Sequence, residues 1–388
     1  MKSNWTTAKL GELVSFSSGG TPSKNVKEYW NGTIPWVSAK SMKSERISSA
    51  DLMISEAGLS AGSKMAPVDS LLLLTRGSGL FNGIPVCIVE KPVAFNQDVK
   101  CIESCSDVSS RFIFYWLKAN EDYLRAKLEV TGIGAGKFDT KFLQELQVAL
   151  PPENERQRIV AIADAISEKI ITNARINDNL QQQAAALFAN FYDRAETEVG
   201  FTEIIQILGG GTPKTGESSY WNGNVPFFTP KDVGSPYTLT TEKTITEEGL
   251  AHCNSRLYPV NTVFVTARGT VGKVGLSGVP MAMNQSCYAL VGKDTHQLLV
   301  YFYTLKAVDR LKHKASGAVF DAITTRDFES EIISKLSDND AKAFLDIAEP
   351  IYQAILSNSI ENLRLAALRD ALLPKLMSGE IDVSGIQL

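Results

Sequence analysis

Two copies of one landmark pattern lie 191 positions apart in this chain of 388 residues. The first copy begins as GGTPSKNVKEYWNGTIPW at Gly19, and the second begins as GGTPKTGESSYWNGNVPF at Gly210. Eight residues recur at this interval: Thr21, Pro22, Tyr29, Trp30, Asn31, Gly32, Pro35 and Lys40 return as Thr212, Pro213, Tyr220, Trp221, Asn222, Gly223, Pro226 and Lys231. A repeat of about half the chain predicts two copies of one domain, related by an approximate (pseudo-)two-fold axis. It excludes a solenoid of short repeats.

The correspondence continues beyond the opening pattern. Arg76 in LTRGSG is matched by Arg268 in TARGTVG, and FNQD is matched by MNQS. Between these landmarks, short apolar runs such as Leu71–Leu74 alternate with clusters of Gly, Pro, Ser and Asn, which is typical of short strands and turns. We therefore expect an α+β protein that contains two similar, mostly-β modules.

Each half ends in a long stretch without glycine that predicts a helix, Glu153–Tyr192 in the first half and roughly Ser337–Met377 in the second. Apolar residues and asparagines follow a seven-residue spacing in both stretches, which is typical of a coiled-coil seam. The seam residues are Ile159, Ile166, Asn173, Leu180 and Leu187, with Ile162 and Ile176 on the neighbouring stripe, and Ile351, Ile355, Asn358, Asn362, Leu365, Leu372 and Leu376.

A helix of forty residues is ~60 Å long and would expose such a narrow apolar stripe if it stood alone. We therefore expect the two helices to cover each other as an antiparallel coiled coil. The alternative is that each helix packs only on its own module. The seam asparagines fit a role in setting the register of the pair.

Signals for helix ends set the predicted boundaries. PPENE offers a helix start, SDND offers N-cap residues, and SGE at Ser378–Glu380 offers a glycine stop, while Pro350 predicts a kink or a break. The predicted organisation is a first module (residues 1–152), a central arm (153–198), a second module (199–336) and a C-terminal arm (337–388).

Charge is distributed unevenly over these segments, although the whole chain has a formal net charge of only −4. The first module holds 17 basic and 15 acidic residues, and the second holds 13 and 12. The central arm holds 5 basic and 8 acidic residues, and the C-terminal arm 4 and 8. The weakly basic modules could contact a few phosphates, whereas the acidic arms should face something other than phosphate.

The chain shows no secretion signal and no apolar run of the ~20 residues that would cross a bilayer, so we expect a cytoplasmic protein. Five cysteines without a secretion signal favour reduced thiols, and their spacing matches no zinc pattern. We expect no metal site.

No constellation of catalytic residues is present in the sequence. TGIGAGKF resembles a phosphate loop, but Thr131 occupies the place of the first glycine and Phe138 follows the lysine. The Asn/Asp-Pro-Pro-aromatic motif of an adenine methyltransferase is missing, and the three histidines lack metallohydrolase spacing. We therefore expect a chain without catalysis of its own.

Two copies of GGTP…YWNG…IPW followed by a coiled-coil helix resemble the specificity (S) subunits of type I restriction–modification systems. LPPENERQRIVAIAD at Leu150–Asp164 resembles that family's entry into the central helix, and LRDALLPKLMSGEI at Leu368–Ile381 resembles its C-terminal signature. The resemblance covers essentially the whole chain.

This resemblance implies that each module is a target recognition domain that reads one half of a bipartite, asymmetric site in double-stranded DNA. The helices would set the spacing and dock two methyltransferase (M) subunits, with restriction/translocase (R) subunits joining through the complex. No cofactor would bind this chain, and S-adenosylmethionine, ATP and Mg would act on the partner subunits. The protein would work in the cytoplasm of a prokaryote and not at a membrane.

Base edges in the major groove are read by polar side chains on loops. The candidate DNA-binding residues are Lys40, Lys43, Arg76, Ser78, Asn96 and Gln97 in the first module and Thr229, Lys231, Arg268, Thr270, Asn284 and Gln285 in the second. Shared residues suit phosphate contacts better than base contacts, because the two halves should read different sequences. The Asn-Gln pairs could equally form an internal hydrogen-bonded turn, and Trp30 and Trp221 suit a core better than DNA stacking.

A second class of function stays open from the residues alone. A free-standing protein that binds RNA or another ligand could use the arms to dimerise. An uncharacterised hydrolase is a third and more distant hypothesis.

Overall fold

The computed structural model describes residues 4–132, 134–234, 236–314 and 322–386. Its contacts divide the chain into two compact units. Unit 1 joins Met1–Lys169 with Arg364–Leu388, and unit 2 is Ile170–Leu363. Each unit therefore contains one module together with adjoining parts of both arms.

The module in unit 1 is built from short strands and short helices. Its strands are β1 (Thr6–Lys9), β2 (Val14–Ser18), β3 (Ile34–Val37), β4 (Arg46–Ile47), β5 (Leu52–Ile54), β6 (Lys64–Ala66), β7 (Leu71–Leu74), β8 (Arg76–Gly77), β9 (Val86–Val89), β10 (Val93–Phe95), β11 (Val99–Ser104), β12 (Glu129–Val130), β13 (Gly136–Lys137) and β14 (Gln147–Leu150). Its helices are α1 (Leu10–Leu13), α2 (Glu56–Gly62), α3 (Ser110–Ala119), α4 (Glu121–Arg125) and α5 (Thr140–Glu145).

A five-stranded sheet forms the centre of this module, in the order β2-β11-β7-β9-β4. A four-stranded sheet (β5-β3-β10-β6), a three-stranded sheet (β12-β13-β8) and the pair β1-β14 surround it. All four residues of β7 are buried, as predicted for the LLLL run. Helix α3 packs on β9 and buries Phe112–Leu117 in the same core.

The module in unit 2 uses a similar set of elements. Its strands are β15 (Thr197–Gly200), β16 (Ile205–Gly209), β17 (Trp221–Phe228), β18 (Tyr237–Thr238), β19 (Lys243–Ile245), β20 (Val263–Thr266), β21 (Val274–Ser277), β22 (Ala282–Met283), β23 (Cys287–Gly292) and β24 (Ile332–Lys335). Its helices are α7 (Phe201–Ile204), α8 (Glu247–Ala251), α9 (Gln297–Lys314) and α10 (Thr325–Glu329).

The second module repeats the topology of the first. Its five-stranded sheet has the order β16-β23-β20-β21-β18, and β19-β17-β22 and β15-β24 correspond to β5-β3-β10 and β1-β14. Where unit 1 pairs β8 with β13, unit 2 has a single bridge between Arg268 and Ala322. The predicted duplication of a mostly-β module is confirmed.

Repeated glycines explain why the landmarks recur. A Cβ on Gly19 would lie 2.0 Å from the carbonyl oxygen of Phe95, and a Cβ on Gly210 would lie 2.2 Å from that of Asn284. At Gly32 the nearest atom would be the carbonyl oxygen of Ile54, at 2.2 Å. Any side chain at these positions would push two backbone segments apart, so the same residue type is required in both modules.

Two long helices form the arms, α6 (Glu153–Asp193) and α11 (Asp338–Ser378). Ser337 caps α11 by accepting a hydrogen bond from the backbone N–H of Asp340 at 3.2 Å. Gly379, at φ +76°, ends α11 as predicted. The helix is not broken at Pro350, so the break that we considered there is wrong. Within the described residues, no helix is long and apolar enough to span a membrane.

The arms pair with each other inside each unit, in antiparallel order. In unit 2, Asn173 contacts Asn362 while Asn177 contacts Asn358. In unit 1, Ile159 and Ala163 of α6 share a core with Leu373, Leu376 and Met377 of α11. The predicted antiparallel coiled coil is confirmed.

The predicted neighbouring stripe is wrong at Ile176, whereas its other member, Ile162, is partly buried against the core of unit 1. Ile176 is 43% exposed, and Asn177 takes the buried position beside it. A straight α-helix has 3.6 residues per turn, so a strict seven-residue spacing drifts across its surface. In unit 2 the seam therefore follows Asn173 and Asn177, four residues apart, instead of Ile176.

Candidate nucleic-acid interface

The landmarks of each repeat meet at one end of the five-stranded sheet, which we call the reading end. In unit 1 the antiparallel strands β7 and β11 meet at this end, where β7 ends at Leu74 and β11 begins at Val99. Just beyond them, the N–H of Thr75 donates to the carbonyl of Asp98 at 2.8 Å. Arg76 and Gln97 follow directly. In unit 2 the N–H of Ala267 donates to the backbone carbonyl of Ser286 at 2.8 Å in the same way.

The GGTP turn closes over this end in both modules. The N–H of Gly20 donates to the carbonyl of Phe95 at 2.9 Å, and the hydroxyl of Thr21 donates to Gln97 Oε1 at 2.6 Å. Unit 2 repeats both contacts, since Gly211 donates to Met283 at 3.1 Å and the Thr212 hydroxyl bonds Gln285 Oε1. Both glutamines are exposed, and the amide NH₂ of Gln97 also donates to the Asp98 carboxylate at 3.5 Å.

The asparagines of the Asn-Gln pairs hold the turn from inside. Asn96 is 7% exposed, and its Oδ1 accepts the backbone N–H of Asp98 at 3.2 Å. The Oδ1 of Asn284 accepts the N–H of Ser286 at 3.0 Å. These bonds are the internal turn that the sequence left as an alternative to DNA contact, and they fix the direction in which the neighbouring glutamine points.

Two arginines occupy equivalent exposed places at the reading ends. Arg76 pairs across strands with Lys137, and Arg268 bridges Ala322. Neither guanidinium forms an ion pair with any other described residue. An exposed cation that has no ion-pair partner among the described residues is available to an anionic ligand.

The predicted lysines flank these arginines. Lys40 lies on a short 3₁₀ helix, Ala39–Ser41, just after β3 ends beside Asn96. Lys43 is exposed and lines a groove of about 330 Å³ with Gly79 and Asn82. In unit 2 the Lys231 ammonium lies 3.5 Å from the Glu242 carboxylate, and both side chains are mostly exposed.

The predicted hydroxyl residues differ in their availability. The Thr229 hydroxyl donates to Asp232 at 2.6 Å, and the Thr270 hydroxyl donates to the Pro230 carbonyl at 3.1 Å. Both therefore brace the loop that follows β17. Ser78 is exposed and makes no hydrogen bond through its hydroxyl to the residues that the structure describes.

Three cations at the reading ends were missed by the sequence analysis. Lys64 is aligned with Phe95 where β6 pairs with β10, beside the GGTP turn, and Arg256 is its equivalent in unit 2. Lys137 stands next to Arg76. Lys64 and Arg256 could have been found by looking for equivalent positions that keep a positive charge but change residue type. They are the first residues of KMAPVDS in the first module and RLYPVNT in the second.

Trp30 and Trp221 lie in small satellite cores, as the sequence favoured. Each indole N–H donates to a backbone carbonyl, Ser23 at 3.1 Å and Lys214 at 3.3 Å. Trp30 meets Trp36 edge-on with ring centroids 5.1 Å apart, and Trp221 meets Phe227 at 5.6 Å.

The predicted seam residues of the arms are covered to different degrees. Ile159, Asn173 and Ile355 are buried. The partly buried members are Ile166, Leu180, Leu187, Ile351, Leu365 and Leu372. This pattern leaves the outer edges of the seam accessible.

The described residues contain no group of three or more His, Cys, Asp or Glu side chains placed to hold a metal ion. Burial raises the pKa of the Cys87 and Cys287 thiols to about 12, so both stay protonated at neutral pH. A protonated, buried thiol is neither a nucleophile nor a metal ligand.

Comparison with known proteins assigns the chain. The family described as type I restriction modification DNA specificity domain matches residues 2–182 and again residues 197–362. The chain belongs to this specificity family. Each match covers one module and the first part of the arm that follows it, so the two-fold repeat is a duplication of the family's own domain.

Relatives agree with this assignment along the chain. The specificity subunit of the type I restriction enzyme MjaIX from Methanocaldococcus jannaschii is 22% identical over 98% of this chain and 94% of its own length. The EcoR124I/EcoR124II specificity subunit from Escherichia coli is 36% identical over 41% of this chain and 40% of its own. A solved S subunit from M. genitalium has the same fold, with a TM-score of 0.57, 15% identity and 96% of both chains covered.

Specificity subunits are the DNA-recognition component of type I restriction–modification systems and carry no catalysis of their own. The prediction of a non-catalytic subunit is therefore confirmed by the family to which the chain belongs.

Proposed function

We propose that each module reads one half of a bipartite, asymmetric site in double-stranded DNA with the reading end of its five-stranded sheet. Residues 1–152 and 199–336 are the two readers, and residues 153–198 and 337–388 are the arms that join them. The protein acts on duplex DNA in the prokaryotic cytoplasm.

The observation that carries this proposal is the contrast between shared and differing residues at the reading end. Shared cations are Arg76 with Arg268, Lys40 with Lys231, and Lys64 with Arg256. Because they recur in modules that read different sequences, they suit phosphate contacts, which position a protein without reading bases.

The residues that differ lie among these cations. Lys43, Ser78 and Lys137 in the first module stand where the second has Gly234, Thr270 and Ala322. These loops supply the base contacts, whereas Gln97 and Gln285, which recur in both modules, suit contacts to the backbone of the duplex. Asn96 and Asn284 contribute by holding the glutamines in place.

The arms set the gap between the half-sites and dock two methyltransferase subunits. Each helix has 41 residues, which corresponds to ~60 Å. Their net acidity keeps them away from phosphate. Large apolar side chains that the pairing leaves exposed, Ile176, Ile347, Leu363 and Leu368, offer a surface to a partner protein.

The partner subunits carry the remaining chemistry in this proposal. Methyl transfer from S-adenosylmethionine belongs to the M subunits. ATP and Mg serve the M and R subunits of the complex and do not bind this chain.

The test measures DNA affinity of the assembled methyltransferase complex against salt concentration. Arg76→Ala and Lys64→Ala should each weaken binding to cognate and non-cognate duplexes alike, and each should reduce the slope of log affinity against log salt by about 0.9. Lys91→Ala is the matched control, because Lys91 is exposed at the opposite end of the sheet. Unchanged affinity and slope in both variants would show that DNA binds elsewhere.

A further inference from the structure

Four asparagines form a hydrogen-bonded layer across the paired arms in unit 2. The amide of Asn173 donates to Asn362 Oδ1 at 2.9 Å, and the amide of Asn358 donates to Asn177 Oδ1 at 2.9 Å. Asn173 and Asn177 are only 1% and 7% exposed. We call these four residues the asparagine layer.

The layer obeys the symmetry of the repeat. Asn358 and Asn362 stand 185 positions after Asn173 and Asn177, the same interval that separates Glu153 from Asp338 at the two helix starts. The equivalence extends to the bonds that close the layer. Asn362 donates to the carbonyl of Ile170 at 3.1 Å, and its counterpart Asn177 donates to the carbonyl of Ile355, 185 positions later, at 3.4 Å.

Two further contacts tighten the layer without repeating. Asn173 also donates to the Glu361 carboxylate at 2.7 Å, and Asn177 to the Ser359 hydroxyl at 3.2 Å. Every asparagine amide of the layer therefore has a partner in this register.

A shift of one heptad would remove these partners. With α11 moved seven residues in one direction, Asn173 and Asn177 would face Ile355 and Ile351, while Asn358 and Asn362 would face Ile170 and Ile166. In the other direction, Asn177 would face Leu365 and Asn358 would face Ala184. Buried amides against apolar side chains lose their hydrogen bonds, so both shifted registers are disfavoured.

We propose that the asparagine layer is a register lock that makes one alignment of the arms the stable one and thereby sets the gap between the half-sites. The register part stands on the contacts alone, and the part about the gap rests on the proposed function. The layer costs stability compared with an apolar seam and gains a unique alignment in return.

The first test measures the register directly. Spin labels on Asp178→Cys and Ser357→Cys, exposed positions on the two arms, report their separation in the full chain after Cys105→Ser and Cys253→Ser remove the two thiols that are not buried. The unsubstituted layer should give one narrow distance. Asn173→Leu, Asn177→Leu, Asn358→Leu and Asn362→Leu together should add a second population displaced along the arms by about 10 Å, one heptad of ~1.5 Å per residue.

The control is Asn179→Leu, which changes the same residue type on the exposed face of α6. It should keep the single distance. If the fourfold variant also keeps a single, unchanged distance, the packing of the modules on the arms sets the register and the lock is refuted. Should that variant not fold, the pair Asn177→Leu and Asn358→Leu, which leaves Asn173 and Asn362 in place, is measured against the same two outcomes.

The second test maps the DNA sequence methylated by the assembled complex. The wild-type and Asn179→Leu chains should give one gap between half-sites, and the fourfold variant should give more than one. A wild-type complex without a bipartite site would count against the proposed function and leave the distance result standing. A bipartite site whose gap is unchanged in the fourfold variant, despite a shifted register, would refute control of the gap by the layer.

Discussion

The two modules have one topology but differ in the side chains that pack them on the arms. In unit 1 several ion pairs join the module to the arms beside a shared apolar core. Arg369 of α11, whose side chain is 10% exposed, pairs with Glu45 at 2.8 Å. Asp164 of α6 accepts Arg111 at 2.8 Å and the Tyr115 hydroxyl at 2.7 Å.

In unit 2 the same contact is mainly aromatic, with one imidazole–carboxylate pair, His296 and Glu349 at 2.6 Å. Phe188 of α6 stacks on Phe302 with ring centroids 4.8 Å apart and meets Phe344 of α11 edge-on at 5.4 Å. Tyr352 lies 5.7 Å from Tyr301 in a neighbouring edge-on contact. Dispersion and apolar burial provide here what charge pairs provide in unit 1.

At equivalent positions of the repeat, polar or charged residues of unit 1 are replaced by tyrosines in unit 2. Arg46 beside Glu168 corresponds to Tyr237, 191 positions later, and Ser167 corresponds to Tyr352, 185 positions later. The reading ends kept their glycines because a backbone contact tolerates no substitute. The docking surfaces diverged because either ion pairs or aromatic rings can fill the same space if every buried polar group finds a partner.

The largest expected effect is on the charged side of the comparison. Arg369→Ala leaves Ser167 without its cation and Glu45 with only the more distant Lys118, 3.9 Å away, and we expect unit 1 to lose about 3 kcal/mol of stability. Hydrogen exchange resolved by unit measures this loss. Adding Glu45→Gln should recover part of it, whereas a double variant as unstable as the single one would show that Arg369 acts through packing alone.

Alkaline pH should act mainly on unit 2. Among the described residues, burial raises the pKa of Tyr115 in unit 1 and of five tyrosines in unit 2, Tyr237, Tyr258, Tyr301, Tyr303 and Tyr352. The pKa of Tyr301 and that of Tyr303 reach about 12, against an ordinary tyrosine value of about 10. The unfolded chain loses these protons first, so the tyrosine contribution to stability is complete below pH ~10 and is lost as pH rises from ~10 to ~12.

Hydrogen exchange across this range, with tyrosinate absorbance, checks the prediction. Unit 2 should lose protection first, and Tyr301→Phe should reduce its pH dependence by up to about 2–3 kcal/mol. Loss of hydrogen-exchange protection in unit 1 at a lower pH than in unit 2 would contradict this difference between the units.

Salt should have the smallest effect, of about 1 kcal/mol and larger in unit 1, because more of the partly exposed ion pairs between module and arms lie there, and such pairs are screened at 1 M ionic strength. Cys87 and Cys287 are buried reporters, one in each unit. At 1 M salt, a thiol reagent should label Cys87 faster than at low salt, relative to Cys287. Equal acceleration of both thiols would argue that the docking chemistry does not differ as described.

Much of the fold could be predicted because it depends on local patterns. The repeat predicted two modules, LLLL predicted a buried strand, and SDND and SGE marked the ends of α11. The seam failed at Ile176 because a polar residue, Asn177, takes the buried place through hydrogen bonds to the other arm, which no hydrophobic pattern reveals. The continuity of α11 at Pro350 depends on tertiary packing that overrides a local propensity.

The reading end was only partly predictable. Arg76 and Arg268 could be found because their neighbours recur in sequence. Lys64 joins them through the pairing of β6 with β10, about 30 residues away, and Arg256 lies two residues before Tyr258, which bridges Met281, so local sequence gave no signal. The burial of Asn96 likewise follows from the GGTP turn that covers it.

The most direct test of two independent readers is methylation mapping after an exchange of modules. Residues 1–152 are replaced by the corresponding module of another specificity subunit, and the assembled complex is used to modify genomic DNA. One half of the methylated site should change, while the other half and the gap stay as they were. A change in both halves, or in neither, would contradict the account.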